Sequence, residues 1–204
     1  MASLLLQIKA VKINAGQPFT WSGGWKSPVY CDTRLTLLFP EIRTFIKEQF
    51  ASIIKEKFSS AELIAGAATG IAHAALVADH FQPPFCYVPS SAKEHGPGNT
   101  VEGLLLPGQK AIVIEDIIST GESSSNVLET LSRAQIEVIA LLALFTYGLP
   151  VAEKRFEEAN CPFYTLTDYE SLLTEALAQK TILPDELSTL RKWREAPDKW
   201  GSIS

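Results

Sequence analysis

Two adjacent carboxylates, Glu115 and Asp116, separate an apolar run from a hydroxyl-rich turn in the stretch Lys110 to Ser125, K-A-I-V-I-E-D-I-I-S-T-G-E-S-S-S. Ala111 to Ile114 is the kind of run that makes a buried parallel strand, so the acidic pair is expected where that strand ends. Ser119-Thr120-Gly121 then makes a small-residue turn, and a helix follows with Val127, Leu131 and Ala134 on one face. Loops beyond the carboxyl ends of such strands feed helix N-termini, where ligands bind. Backbone N–H groups there, with Ser and Thr hydroxyls and a Gly that lets the chain pass close, form a cradle for phosphate. Carboxylates would repel that phosphate. Glu115 and Asp116 therefore read as holding something else on the same ligand, either ribose hydroxyls or a bridging Mg²⁺. A bare strand end followed by a Ser- or Thr-capped helix is the plainer account of any looser version of this pattern.

Four further stretches carry residues of chemical interest. Gly66-Ala67-Ala68-Thr69-Gly70 lies between a predicted strand and a predicted helix, so its amides could hold a second anion, although such a turn is more often only a turn. The loop A-K-E-H-G-P-G-N carries Lys93 and His95 two apart, on one side of an extended segment. A Gly-rich loop with a cation and an imidazole can close over a reacting phosphate and neutralise its charge, where a random loop would merely be solvated. In Phe19 to Arg34, Lys26 beside aromatic residues and a Gly-Gly turn could grip a flat anion, or Trp21 and Trp25 could simply be core. Phe145-Thr146-Tyr147-Gly148 ends another apolar strand and would reach the same rim. His73 and His80 sit in an apolar helix and receive no role.

The elements that must position these groups alternate. Ser3 can cap a first helix with Leu4, Leu5, Ile8 and Val11 on one face and Gly16 at its end. Gly23-Gly24 predicts a hairpin, Val29 to Cys31 a short strand, and Pro40 the N1 position of a long amphipathic helix. Strands follow at Glu62 to Ala65 and Phe85 to Val88, flanking a helix at Ile71 to His80. Val101 to Leu106 is expected to pair with the Lys110 strand across Pro107-Gly108. Val138 to Phe145 reads as a buried strand, Val151 to Ala159 as a helix, Phe163 to Leu166 as a strand, and Pro184 as the start of a last helix. Thr167-Asp168-Tyr169-Glu170 reads as a capping box. Such alternation implies an α/β fold, a parallel sheet with helices on both faces. The 204 residues read as one domain, with a small N-terminal hood over about 1–38 and a core over about 39–204.

Composition bounds the function. A net charge of −5 argues against a general nucleic-acid or anionic-membrane binder, while leaving room for a local phosphate site. No apolar run approaches membrane-spanning length, and Met1 to Ala10 lacks a secretory pattern. Cys31, Cys86 and Cys161 are odd in number and scattered, as expected for buried, reduced thiols in a cytoplasmic protein.

The run V-I-E-D-I-I-S-T-G resembles the PRPP-binding signature of type I phosphoribosyltransferases, where no Lys follows the glycine as a Walker loop would require. F-T-W-S-G-G-W-K-S-P-V-Y-C-D-T-R resembles the more specific N-terminal block of the orotate phosphoribosyltransferase family, and S-A-K-E-H-G-P-G-N-T-V-E-G resembles that family's catalytic loop. Order and spacing agree from roughly Phe19 to Ser125. The resemblance implies a type I phosphoribosyltransferase core, the substrates PRPP and orotate, and Mg²⁺ carried mainly by PRPP, near Glu115 and Asp116, with no direct protein ligand. It implies a homodimer sharing loop 90–100 across its interface, with no nucleic acid or membrane as partner. Lys93, His95 and Asp116 would then be catalytic. PRPP would meet Lys26, Thr69, Gly70, Lys93, His95, Glu115, Asp116, Ile117, Ile118, Ser119, Thr120, Gly121, Glu122 and Ser123. Orotate would meet Lys26, Tyr30, Ser119 and Tyr147. The chain departs from the pattern at Pro89, Ser90 and Ser91, where the family often carries basic residues, and at Gly23-Gly24, where it has Ser-Gly. Two competing readings are a phosphoribosyltransferase for another base and a PRPP-sensing regulator without turnover.

Overall fold

The computed structural model describes residues 1–14, 16–21, 23–90 and 101–200. The chain opens with helix α1 (Ala2–Gln7) and four short strands, β1 (Val11–Ile13), β2 (Phe19–Thr20), β3 (Lys26–Ser27) and β4 (Val29–Cys31). Strand β1 pairs antiparallel with β4, and β2 with β3. The first helix is shorter than its apolar spacing predicts. Lys9 turns the chain at φ 57°, so Val11 enters β1 instead of extending the helix, and the helix begins without a cap from Ser3. Gly24, at φ 84°, forms the predicted turn between β2 and β3.

A 3-10 helix (Thr33–Leu38) leads into α2 (Pro40–Lys57), which starts at Pro40 as expected and buries Ile42, Ile46, Phe50 and Ile54. Then come β5 (Leu63–Ala67), a 3-10 turn (Ala68–Gly70), α3 (Ile71–Phe81), β6 (Phe85–Val88), β7 (Lys110–Ile118), α4 (Glu122–Arg133), β8 (Glu137–Thr146), α5 (Pro150–Glu158), β9 (Phe163–Asp168), α6 (Tyr169–Ala178) and α7 (Pro184–Glu195). The last five strands form one parallel sheet in the order β6-β5-β7-β8-β9. Both predicted layers are present: α1, α2, α3, α6 and α7 pack on one face, α4 and α5 on the other.

Three details of the sheet differ from expectation. Strand β7 does not stop at Ile114 but runs to Ile118, so Glu115 and Asp116 lie inside it. Val101 to Leu106 forms no hairpin with β7, because both edges of β7 are already taken by β5 and β8; only Glu102 pairs, in an isolated bridge to Tyr87 at the end of β6. Gly66 and Ala67 complete β5 rather than belonging to a loop. Further along, α6 is capped by Asp168 alone, whose Oδ1 accepts from the Ser171 amide, and Glu170 pairs with Arg191 instead of closing a capping box. The three cysteines are buried and unpaired. Burial pushes the Cys86 and Cys161 thiols up to about 11, far from thiolate chemistry. No helix among the described residues is long and apolar enough to cross a membrane.

Candidate active site

The sheet order reverses at β5. From it the chain steps to β6 on one side and then to β7 on the other, which opens a crevice at the carboxyl ends of β5 and β7. A cavity of about 840 Å³ lies there, between this rim and the N-terminal strands. Thr69, from the turn after β5, lines it, as do Asp116, Ile117, Ser119 and Thr120 from β7 and the turn beyond. Glu122 and Ser123 continue the wall into the first turn of α4, while Trp21, Trp25 and Tyr30 close it from the hood.

The acidic pair is divided by strand geometry. Successive residues of a strand face opposite sides of the sheet. Ile112 and Ile114 belong to the core under α2 and α3, and Ala111 and Val113 to the core under α4 and α5. Continuing that alternation sends Asp116 to the first side and Glu115 to the second. The Asp116 carboxylate accepts a hydrogen bond on each oxygen, from Thr33 Oγ1 to Oδ2 and from Thr69 Oγ1 to Oδ1, both at 2.6 Å. Glu115 instead faces Ser124 of α4, whose hydroxyl donates to it at 3.3 Å, and is not among the described residues lining the cavity. Burial, and then the charge of Asp116, push the Glu115 carboxyl well above the usual carboxylate range. The motif position of Glu115 thus puts it behind the site, whereas Asp116 is in it.

The turn after β7 suits an anion. Gly121 adopts φ 76°, and an added Cβ would sit 3.3 Å from Ala152 of α5, so both its conformation and its packing require glycine. As the N-cap of α4 it supplies no side-chain hydrogen bond, which leaves the amides of the first turn for a ligand. Gly121 and Ile118 themselves are buried under α4 and α5 and shape the turn without lining the cavity.

Other predicted residues fall elsewhere. Gly70 is pressed on β7: a Cβ there would lie 2.6 Å from Glu115 Cα and 2.7 Å from the Asp116 amide nitrogen, so Gly70 supports the acidic strand and Thr69 alone faces the cavity. Lys26 is exposed on the hood hairpin, donates to Thr20 Oγ1 at 2.7 Å and lies outside the described lining. Tyr147 lies on the cavity floor but is 2% exposed. Its hydroxyl donates to the Val29 carbonyl and accepts from the Cys31 amide, tying β4 to the sheet. Lys93 and His95 lie outside the described residues. Trp21 serves as core and wall at once, tilted at 54° to Tyr147 with ring centres 4.6 Å apart and set edge-on to Trp193 at 5.6 Å.

Two cations in the cavity wall escaped the sequence reading. Arg34 is held by Asp32 through two parallel hydrogen bonds of 2.7 and 2.9 Å. That pairing holds the Asp32 carboxyl below its ordinary range. Arg155 of α5 also lines the cavity, and its buried Nε has no hydrogen-bond partner among the described residues. The available signal was Pro150, which fixes the start of α5 just past the rim strand β8 and so places the next turns of that helix at the rim.

Behind Asp116 lies a second buried polar layer. His73 of α3, 2% exposed, approaches Thr36 Oγ1 with its Nε2 at 3.1 Å. Desolvation lowers its pKa against the opposing pull of Asp116, so it packs as a neutral ring.

The chain is similar to known proteins in sequence and in fold. The chain is 48% identical over 202 residues to orotate phosphoribosyltransferase of Bacillus caldolyticus, covering 99% of this chain and 98% of that protein. No family model matches the chain. Among solved structures, orotate phosphoribosyltransferase from Aeropyrum pernix superimposes with a TM-score of 0.73 at 23% identity, covering 86% of this chain and 98% of its own. A Mycobacterium tuberculosis orotate phosphoribosyltransferase solved in complex with PRPP gives a TM-score of 0.57 at 20% identity, over 70% of this chain and 82% of its own.

Proposed function

This chain belongs to the orotate phosphoribosyltransferase family, and from that premise we propose that PRPP and orotate meet in the cavity at the end of β7. The reaction is a pentosyl transfer of pyrimidine nucleotide synthesis: the 5-phosphoribosyl group passes from PRPP to orotate, giving orotidine 5'-monophosphate and diphosphate. One observation carries the assignment of the site. Asp116, an acceptor-only carboxylate with both oxygens oriented by hydroxyls, stands beside a helix N-terminus that no side chain caps. Ribose hydroxyls and a 5-phosphate need that pair of surroundings side by side.

In this reading the turn Ser119 to Ser123 holds the 5-phosphate and Asp116 accepts from the ribose hydroxyls. As the bond from the anomeric carbon to the diphosphate oxygen breaks and the bond to the orotate nitrogen forms, positive charge grows on the ribose ring. The fixed carboxylate of Asp116 stabilises that charge without reorganising. Arg155, with an unpartnered Nε in a half-buried wall, offers the orotate carboxylate a charged hydrogen bond, and Trp21, Trp25 and Tyr30 supply a flat apolar face. By motif position Lys93 and His95 act on the departing diphosphate.

The family resemblance also implies Mg²⁺. Both oxygens of Asp116 already accept from threonines and burial pushes the Glu115 carboxyl well above the usual carboxylate range, so these carboxylates suit outer contacts better than an inner cage. In this reading the diphosphate of PRPP would carry the ion, with Asp116 as an outer contact, and the ion would supply neutralisation of the leaving charge. A homodimer completes the reading. Leu104 and Leu106, 83% and 59% exposed just after loop 90–100, would give that segment an apolar face for the partner. Mixing Lys93→Ala and Asp116→Asn chains tests it: activity regained in the mixture requires a loop that reaches the neighbouring site, and none regained rules that out.

The function itself is tested by the loss of orotate absorbance on adding PRPP and Mg²⁺, in the wild type and in Lys93→Ala. A strong signal that drops sharply in the variant is the expected result. PRPP binding without any loss of orotate absorbance would overturn the choice of base.

A further inference from the structure

Proton counting around Asp116 shows more than a ligand carboxylate. Thr36 Oγ1 lies 2.6 Å from the Thr33 carbonyl, which can only accept, so the single Thr36 hydroxyl proton is committed there. The His73 contact to the same oxygen must then be a donation from Nε2–H, which fixes the tautomer of this neutral ring. His73 of α3 therefore holds Thr36, Thr36 holds the backbone of Thr33, and the Thr33 hydroxyl holds Asp116 Oδ2. Thr33, Thr36, His73 and Asp116 are each no more than 3% exposed. On the other oxygen, Thr69 is the exposed partner, at the rim.

We propose that Thr33 is a positioning residue for phosphoribosyl transfer, a hood hydroxyl that fixes the rotation of the Asp116 carboxylate so that its remaining lone pairs face the ribose. The inference rests on the reading of Asp116 as the ribose ligand. A carboxylate held at one oxygen can still swing about its terminal torsion, whose wells are broad. Held at both oxygens, by elements as separate as the hood and the turn after β5, it cannot. The buried clamp also links the seating of the hood to the ribose side of the reaction. PRPP and orotate should therefore respond differently to its loss, because Arg155 stands on α5 and the hood wall has its own ties to the sheet, Trp21 against Tyr147 and Trp193, and β4 through the Tyr147 hydroxyl.

The test compares Thr33→Val, Thr33→Ser and Asp116→Asn in steady-state kinetics with each substrate varied. Val keeps the shape and removes the donor, and the expected result is a fall of about tenfold in kcat/KM for PRPP, with KM for orotate within about twofold. Thr33→Ser should restore most of the loss, since it returns the hydroxyl. If Thr33→Val does not fold, Thr33→Ala is measured in its place against the same two outcomes. Unchanged kinetics in Thr33→Val, or a Ser variant as impaired as Val, or an equal rise in KM for orotate, would each overturn the positioning role. Should Asp116→Asn itself leave kcat/KM for PRPP intact, the ribose assignment fails first. A deficient Asp116→Asn beside a normal Thr33→Val removes only the clamp.

Discussion

Glu115 and Asp116 are neighbours in the chain and almost equally buried, at 2% and 3% exposed, yet the two faces of β7 make different groups of them. On the face toward α2 and α3, Asp116 meets two hydroxyl donors and the cavity. On the face toward α4 and α5, Glu115 meets one hydroxyl, at a longer 3.3 Å, above an apolar layer. Glu115 also accepts from the Asp116 amide at 3.1 Å, yet burial pushes its carboxyl up, whereas Asp116 has a short hydroxyl donor on each oxygen. A carboxylate's neighbours on the folded sheet, rather than its motif, decide which of the pair is equipped to face charge.

The largest expected effect is on the cavity side. Asp116→Asn replaces an acceptor-only group with an amide that cannot accept from both Thr33 and Thr69 and still face a ribose. Losing a charged hydrogen bond costs about 1.5–3 kcal/mol, so kcat/KM for PRPP should fall roughly 100-fold, read from the absorbance assay. A variant within threefold of wild type would erase the difference between the two faces. Next comes the support they share. Gly70→Ala would drive a Cβ into the backbone of Glu115 and Asp116, and neither backbone can yield without disturbing the β5–β7 pairing. Overpacking of this kind costs about 1–3 kcal/mol, and urea unfolding should show it together with reduced turnover. Full stability in that variant would mean that the turn after β5 moves freely, and the Thr69 side of the clamp with it.

How much of this was readable in the chain follows the distance over which each feature is built. The β7–turn–α4 unit is contiguous, so Ser119, Thr120 and Gly121 are legible in the sequence as a small hydroxyl-bearing turn between strand and helix. Pro40 and Pro184 announce their helices for the same local reason. The division of Glu115 from Asp116 was within reach of period-two reasoning, but only once the strand is known to run past Ile114 to Ile118. The clamp was not within reach. Thr33 and Asp116 stand 83 residues apart, and Tyr147 lies 116 residues from the amide that donates to it. Neither pairing has a local signature, because tertiary packing creates both. Arg155 falls between these cases, marked by Pro150 but lost among the exposed charges of a short helix.

Tyr147→Phe sharpens the contrast from the floor of the cavity. The resemblance assigns this residue to orotate, whereas the structure spends its hydroxyl on β4. Removing the hydroxyl takes the acceptor from the buried Cys31 amide and the donor from the Val29 carbonyl, and should cost about 1 kcal/mol or somewhat more in stability. Under the structural account, thermal unfolding shifts down while KM for orotate stays within about twofold. A rise in KM with no change in stability would return the hydroxyl to the substrate.

The smallest effect on turnover, and the finest probe, belongs to Glu115→Gln. Glutamine keeps the shape of the side chain and carries no charge, in the direction in which burial pushes Glu115, so its loss of kcat/KM for PRPP should be at least about tenfold less than that of Asp116→Asn. Stability carries the clearer signature. Because burial raises the Glu115 pKa above its ordinary 4.5, the folded chain keeps a proton that the unfolded chain releases as pH rises past that value. The native state then binds more protons, and this group's contribution to stability falls with rising pH until the folded group itself ionises. Glutamine has no such dependence. The variant should therefore match the wild type below pH 4.5 and gain on it progressively above, in urea titrations run from pH 4 to 8. Parallel curves across that range would mean that Glu115 is ionised in the folded protein. The two faces of β7 would then hold their carboxylates alike.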